Sequence, residues 1–315
     1  MRKKCLDCVY ELAARDRNVV FIGSDLGAGT LDRFKSDFPD RFFMEGVSEA
    51  SIVSMAAGLA LEGRIVYVNT IATFLTRRCF EQVVLDLGLH NVNVRLIGNG
   101  GGVVYAPLGP THLAIDDLAI MRAVPNMTIV APCDADEMGR LMPLTLSHRG
   151  PMYIRLGKGG DPIVSSDGPF EIGRAIPMRR GSDVLLVSTG ITARIALEAA
   201  AAFAGDGISA AVLHMHTVKP LDVEGFLAHA ANVDAIVAIE EHSIVGGLGG
   251  ALAEVVAEAG FEPAKRFKRM GIPDVFPQGY GSQATMMAKY EITAERTIAV
   301  VRELLALAPR TNLRT

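Results

Sequence analysis

The chain has 315 residues, half of them hydrophobic and 21% charged, with a formal net charge of −4. That balance leaves no basic footprint for nucleic acid or an acidic membrane surface, and the length suits two domains of about 150 residues each. No apolar run approaches the roughly 20 residues of a bilayer span, and the charged start "MRKKCLDCVYELAARDR" has no signal-peptide core, so a cytoplasmic protein without a membrane segment is expected.

Cys5 and Cys8 stand three apart on a helical stretch, which is the spacing of core neighbours on successive turns. A zinc site would need a second ligand pair that Cys79 and Cys133 do not form in sequence, so no metal ligand is assigned to the chain. The runs 18–23, 64–69, 93–98, 127–132 and 152–157 read as buried strands separated by amphipathic or small-residue stretches. Such alternation implies an α/β fold with helices on both faces of a sheet. The Gly-, Pro- and Ser-rich segment 157–173 reads as a linker, with the domain boundary placed at 163/164. Beyond it, 183–190, 208–215, 234–242 and 264–272 read as strands and 192–205 as a helix.

Within the first half, Ile52, Met55, Ala56, Leu59 and Ala60 follow helical spacing, which puts Glu49 in the first turn of a helix of mostly small and apolar residues. Acidic residues are common there because the helix dipole favours them, so position alone gives Glu49 no function.

The surrounding motifs say more. "PDRFFMEGVSEASIVSMAAGLALEG", "TIATFLTRRCFEQVV", "GPTHLAIDDLAIMRAVPNMTIVAPCDADE" and "MYIRLGKG" resemble the pyrimidine-binding domain of the transketolase family of thiamine-diphosphate enzymes. "TVKPLD" and "IEEHSIVGGLGGALAE" resemble that family's C-terminal domain, so the likeness runs along nearly the whole chain. It implies two three-layer α/β domains: a pyrimidine-binding domain with a mostly parallel sheet over 1–163, and a transketolase C-terminal-like domain over 164–315. It also implies that Glu49 meets the ring nitrogen of the cofactor's aminopyrimidine and holds a proton there. Burial must favour the neutral acid for this to work, against the pull of the helix N-terminus.

By the same resemblance Phe74 stacks on the pyrimidine, and Arg77 and Phe80 stand at further cofactor-facing positions, Arg77 where deoxyxylulose-phosphate synthases carry an arginine. Asp25 and Leu26 lie in a loop that approaches the cofactor. His112 faces substrate and handles its protons, while Arg155 and Arg2 match contacts to a substrate phosphate. Each also has a bland reading: packing for the aromatics, ion pairing for the arginines, a satisfied structural role for His112.

Departures from the family pattern are as informative. Ser48 and Ala50 flank Glu49 in place of polar neighbours, Leu108 replaces an acid four residues before His112, and Gly100 stands where a substrate histidine is expected. A mouth stripped of these groups implies an unusual small sugar substrate. "GDG" at 205–207 with Asn232 imitates the family's metal motif, but its place in the C-terminal domain makes Asp206 a surface turn residue. The resemblance therefore implies the C-terminal subunit of a split transketolase. A separate N-terminal subunit would hold the diphosphate with Mg2+ or Ca2+, and this chain would be the homodimer within a heterotetramer. The reaction implied is two-carbon ketol transfer from a ketose to an aldose. Alternatives are the beta subunit of a 2-oxoacid dehydrogenase, a deoxyxylulose-phosphate synthase-like enzyme, and a noncatalytic scaffold.

Overall fold

Aliphatic and β-branched runs become twelve strands in two sheets among the described residues, which in this computed structural model are 1–24, 31–157 and 159–306. The strands are β1 (Val19–Gly23), β2 (Phe42–Met44), β3 (Ile65–Ile71), β4 (Val94–Asn99), β5 (Thr128–Val130) and β6 (Met152–Leu156) in the first half. In the second half they are β7 (Ile176–Arg179), β8 (Val184–Ser188), β9 (Ala210–His214), β10 (Thr217–Lys219), β11 (Ala235–Ser243) and β12 (Arg266–Ile272).

The first sheet runs β10-β5-β6-β4-β3-β1-β2, and all its pairs are parallel except β10 with β5. The second runs β12-β11-β8-β9-β7, parallel except for β7 against β9. Both are covered on two faces, as parallel strands buried along their whole length require. Alternate residues of each strand serve alternate cores. Val20, Ile22, Val66, Val68, Val94 and Leu96 pack beneath the helix Glu49–Leu61. Val19, Phe21, Tyr67, Ile97 and Ile154 pack beneath the helices Arg2–Arg15 and Ala135–Thr145, the face that also takes in Cys5 and Cys8. The second sheet divides the same way, with Leu186, Val212 and Val237 on one face and Leu185, Val187 and Ile236 on the other.

The apolar face of Glu49–Leu61 differs slightly from the expected stripe. Ile52, Val53, Ala56 and Ala57 are buried outright, whereas Met55, Leu59 and Ala60 pack partly buried at the edge of the same core. The strands β2, β7 and β10 were not legible as strands, each being only three or four residues long. Of these β10 matters most, because it lies in the second half of the chain yet joins the first sheet. Thr217 pairs with Val130, the Ala131 N–H donates to the His216 carbonyl at 2.7 Å, and the Lys219 ammonium donates to the carbonyls of Arg122 and Val124 at 2.9 and 2.6 Å. The two halves are thus laced together.

Asp206 sits in a surface turn paired with Arg302, and Asn232 caps the Ala228 carbonyl at 2.9 Å on an exposed surface. Neither belongs to a group able to hold a metal among the described residues. No described helix is long and apolar enough to cross a membrane.

Candidate active site

The carboxyl ends of β1, β3 and β4 lie side by side, the usual place for a site in an open parallel sheet. After β2 the chain turns through Gly46, at φ +65°, and enters the helix with Glu49 as its first residue. The Glu49 side chain is 1% exposed although it carries a carboxyl group. Arg78 donates to its Oε2 at 2.8 Å, and the Ser24 hydroxyl lies 3.4 Å from its Oε1. That hydroxyl also lies 2.8 Å from the Gly46 carbonyl, and its single proton can serve only one of the two acceptors. The shorter contact takes it, which leaves Oε1 without a strong donor among the described residues.

β3 leads into a π-helical turn over Phe74–Arg78, a wide i→i+5 winding of the kind often found at functional sites. The turn sets Phe74 and Arg78 on one side, with the Arg78 guanidinium carbon 3.9 Å above the Phe74 ring. His112, in the short helical turn Pro110–His112, meets the same ring edge-on with centroids 5.2 Å apart. Its Nδ1 lies 2.9 Å from the Thr111 hydroxyl. Arg77 donates to the Thr111 carbonyl at 3.2 Å and faces Asp116 at 3.8 Å. Burial pushes the Asp116 carboxyl upward, an effect that Arg77 opposes. Glu49, Phe74, Arg77 and His112, four of the residues singled out in the sequence, therefore share one mouth. Arg78 joins them there; its signal was its i+4 spacing from Phe74, the reach of one helical face.

Other expected residues lie differently. Phe80 packs against the core of the first sheet. Arg2 opens the first helix, half-buried, with an Nε that has no partner among the described residues. Asp25 and Leu26 lie outside the described residues. Gly100, at φ +72°, could not carry a histidine, since even a Cβ would come within 2.2 Å of the Tyr105 ring. Leu108 is exposed at the rim, Ser48 turns its hydroxyl to the Glu45 carbonyl, and Ala50 packs on the core.

Arg155, expected to contact a substrate phosphate, sits among protein acceptors. It is buried in β6, with Nε and Nη2 donating to the two oxygens of Asp117 at 2.8 and 3.2 Å. Nη2 also reaches the carbonyls of Ala114 and Glu241 at 3.1 and 2.8 Å, while the Tyr153 hydroxyl donates to Asp117 at 2.8 Å. Its Nε and Nη2 are thus engaged by protein acceptors. Glu241 sits beside it, taking the Val103 N–H at 2.8 Å and the Gln283 amide at 3.0 Å. Burial pushes the Glu241 carboxyl up to about 7, with Arg155, Val103 and Gln283 pulling the other way. This knot joins the two halves and was not visible in the sequence, because its members are far apart along the chain.

The mouth suits a flat, hydrogen-bonding heteroaromatic ring. It offers a buried acid in Glu49 and an aromatic ring in Phe74.

Comparison with known proteins agrees. Residues 1–160 match the family description "transketolase, pyrimidine binding domain", and residues 173–296 match "transketolase, C-terminal domain". A 6-deoxy-6-sulfo-D-fructose transketolase subunit of Clostridium sp. (strain MSTE9) is 36% identical over 306 residues, covering 96% of this chain and 94% of the relative. The 1-deoxy-D-xylulose-5-phosphate synthase of Symbiobacterium thermophilum is 39% identical over 307 residues, and the chain spans 46% of its length. A solved structure described as a split gene transketolase, an inactive beta4 tetramer, superposes with a TM-score of 0.89 at 36% identity over 97% of this chain and 98% of that one. With its buried acid, its paired α/β domains and these matches along both, the chain belongs to the transketolase family.

Proposed function

We propose that this chain is the C-terminal subunit of a two-chain, thiamine-diphosphate-dependent transketolase that moves a two-carbon ketol unit from a ketose to an aldose. The observation that carries the reading is Glu49: an acid 1% exposed at a helix start, beside the face of Phe74 and open to a ligand through the part-exposed Arg78. When bound, thiamine diphosphate supplies a nucleophilic carbanion stabilised by its charged ring. Glu49 holds a proton at the pyrimidine nitrogen, Phe74 fixes the plane of that ring, and His112 exchanges protons with substrate hydroxyls at the mouth.

A second chain would hold the diphosphate and Mg2+ or Ca2+, and two copies of each would form a cytoplasmic heterotetramer. We take the two domains to meet at 163/164, with β10 lent back across the boundary. The exposed Leu108 and the glycine-only position 100 remove polar groups from the mouth, which favours a sugar with an unusual substituent over a common sugar phosphate. The named sulfosugar relative supports that choice.

The test is reconstitution. The purified chain with thiamine diphosphate and magnesium is expected to turn over no ketose, and addition of a diphosphate-binding subunit is expected to start ketol transfer. Robust turnover by the chain alone contradicts the two-chain reading, and product from a 2-oxoacid but not from a ketose contradicts the transketolase reading.

A further inference from the structure

Cys133, Glu137 and His214 belong to no part of the mouth. Cys133 stands in the turn after β5, Glu137 in the first turn of the helix Ala135–Thr145, and His214 at the carboxyl end of β9 in the other sheet. They are 2%, 0% and 0% exposed, and one ligand atom from each lies within 4.8 Å of the others. The His214 Nε2 is 3.0 Å from Glu137 Oε2, which also accepts the Cys133 N–H at 2.5 Å. The other oxygen, Oε1, is buried without a partner among the described residues. A fully buried carboxylate oxygen with no donor is costly unless something positive reaches it.

We propose that Cys133, Glu137 and His214 form a site for a zinc-class divalent cation that staples the two domains together. The donor set of one sulfur, one imidazole nitrogen and one carboxylate oxygen suits Zn2+ or Co2+, whereas hard ions such as Mg2+ prefer oxygen alone. A thiolate and a carboxylate carry two negative charges, so a divalent ion makes the buried site neutral. Ser188 lies 3.5 Å from the His214 Nδ1, placed as an outer partner that orients the ring.

Binding expels the thiol proton of Cys133 and moves the proton of a neutral imidazole from Nε2, which faces the Glu137 carboxylate, to Nδ1, which faces Ser188. Glu137 and Asp134 both stand beside the Cys133 sulfur. The same two carboxylates attract a metal. A cleft of about 380 Å3, bordered also by Asp161, Arg194 and Gln283, reaches the site at Cys133.

Cobalt substitution of the full chain tests this. One equivalent of Co2+ is expected to produce a sulfur-to-cobalt charge-transfer band that Zn2+ abolishes. Cys133→Ser is expected to lose the band, while Cys5→Ser and Cys8→Ser keep it. His214→Gln is expected to weaken binding by roughly tenfold or more, with circular dichroism unchanged. A band that survives Cys133→Ser identifies a different thiol and overturns the site. Should Cys133→Ser fail to fold, the wild-type chain still decides, because a stoichiometric cobalt spectrum without a sulfur band overturns it equally.

Discussion

Two arginine–carboxylate pairs in this molecule show opposite designs. Arg155 and Asp117 meet through two nitrogens and two oxygens, both side chains are buried, Nη2 also reaches two carbonyls, and the Tyr153 hydroxyl donates to Asp117. Arg78 meets Glu49 through one nitrogen, with the arginine 44% exposed and the acid 1% exposed. A buried pair held at two points fixes geometry. A pair with one member in water can give up that contact at little cost, since the guanidinium is rehydrated when it leaves. Residue types alone do not separate a strut from a site; saturation does.

The largest effect on this contrast is expected at the closed pair. Asp117→Asn leaves Arg155 buried with half its partner's charge-assisted bonds gone and should cost about 3–5 kcal/mol, read as a lower urea midpoint. A loss under about 1 kcal/mol would mean that the knot is solvated.

Next comes Glu241, whose carboxyl is raised to about 7 by burial. A raised carboxyl favours the folded state at low pH, and that contribution is lost as pH rises from the unfolded value near 4.5 through about 7. Relative to Glu241→Gln, the wild-type chain should therefore lose stability on the order of 3 kcal/mol across that window and run parallel to the variant above it. Parallel curves throughout would contradict the assignment.

The smallest effect belongs to the open pair. Arg78→Ala should lower the stability of the free chain by about 1–2 kcal/mol, because Glu49 stays buried while its solvated partner is removed. A cost as large as that of Asp117→Asn would erase the distinction between the two pairs.

Much of this was legible in the sequence. Long buried strands such as Val94–Asn99 and the helix begun by Glu49 declare themselves by periodicity, and the motifs around Glu49, Phe74 and His112 locate the mouth. The strand Thr217–Lys219 was not legible, since it is too short to show alternation and pairs with a segment from the other half. The partners of Arg155 were hidden for a related reason: the strand-end arginine was visible, but Asp117, Tyr153 and the Glu241 carbonyl gather around it only in the folded chain. Arg78 escaped because a π-helical turn, which sequence pattern does not announce, decides which of two adjacent arginines faces Glu49.

The central claim concerns the proton that Glu49 holds at the cofactor's pyrimidine ring, and exchange of the thiazolium C2 proton for deuterium reads it most directly. In a reconstituted pair of subunits, Glu49→Gln is expected to slow that exchange by about 10²–10⁴-fold while leaving assembly and cofactor binding in place. Exchange at the wild-type rate in a correctly assembled Glu49→Gln complex would contradict the account.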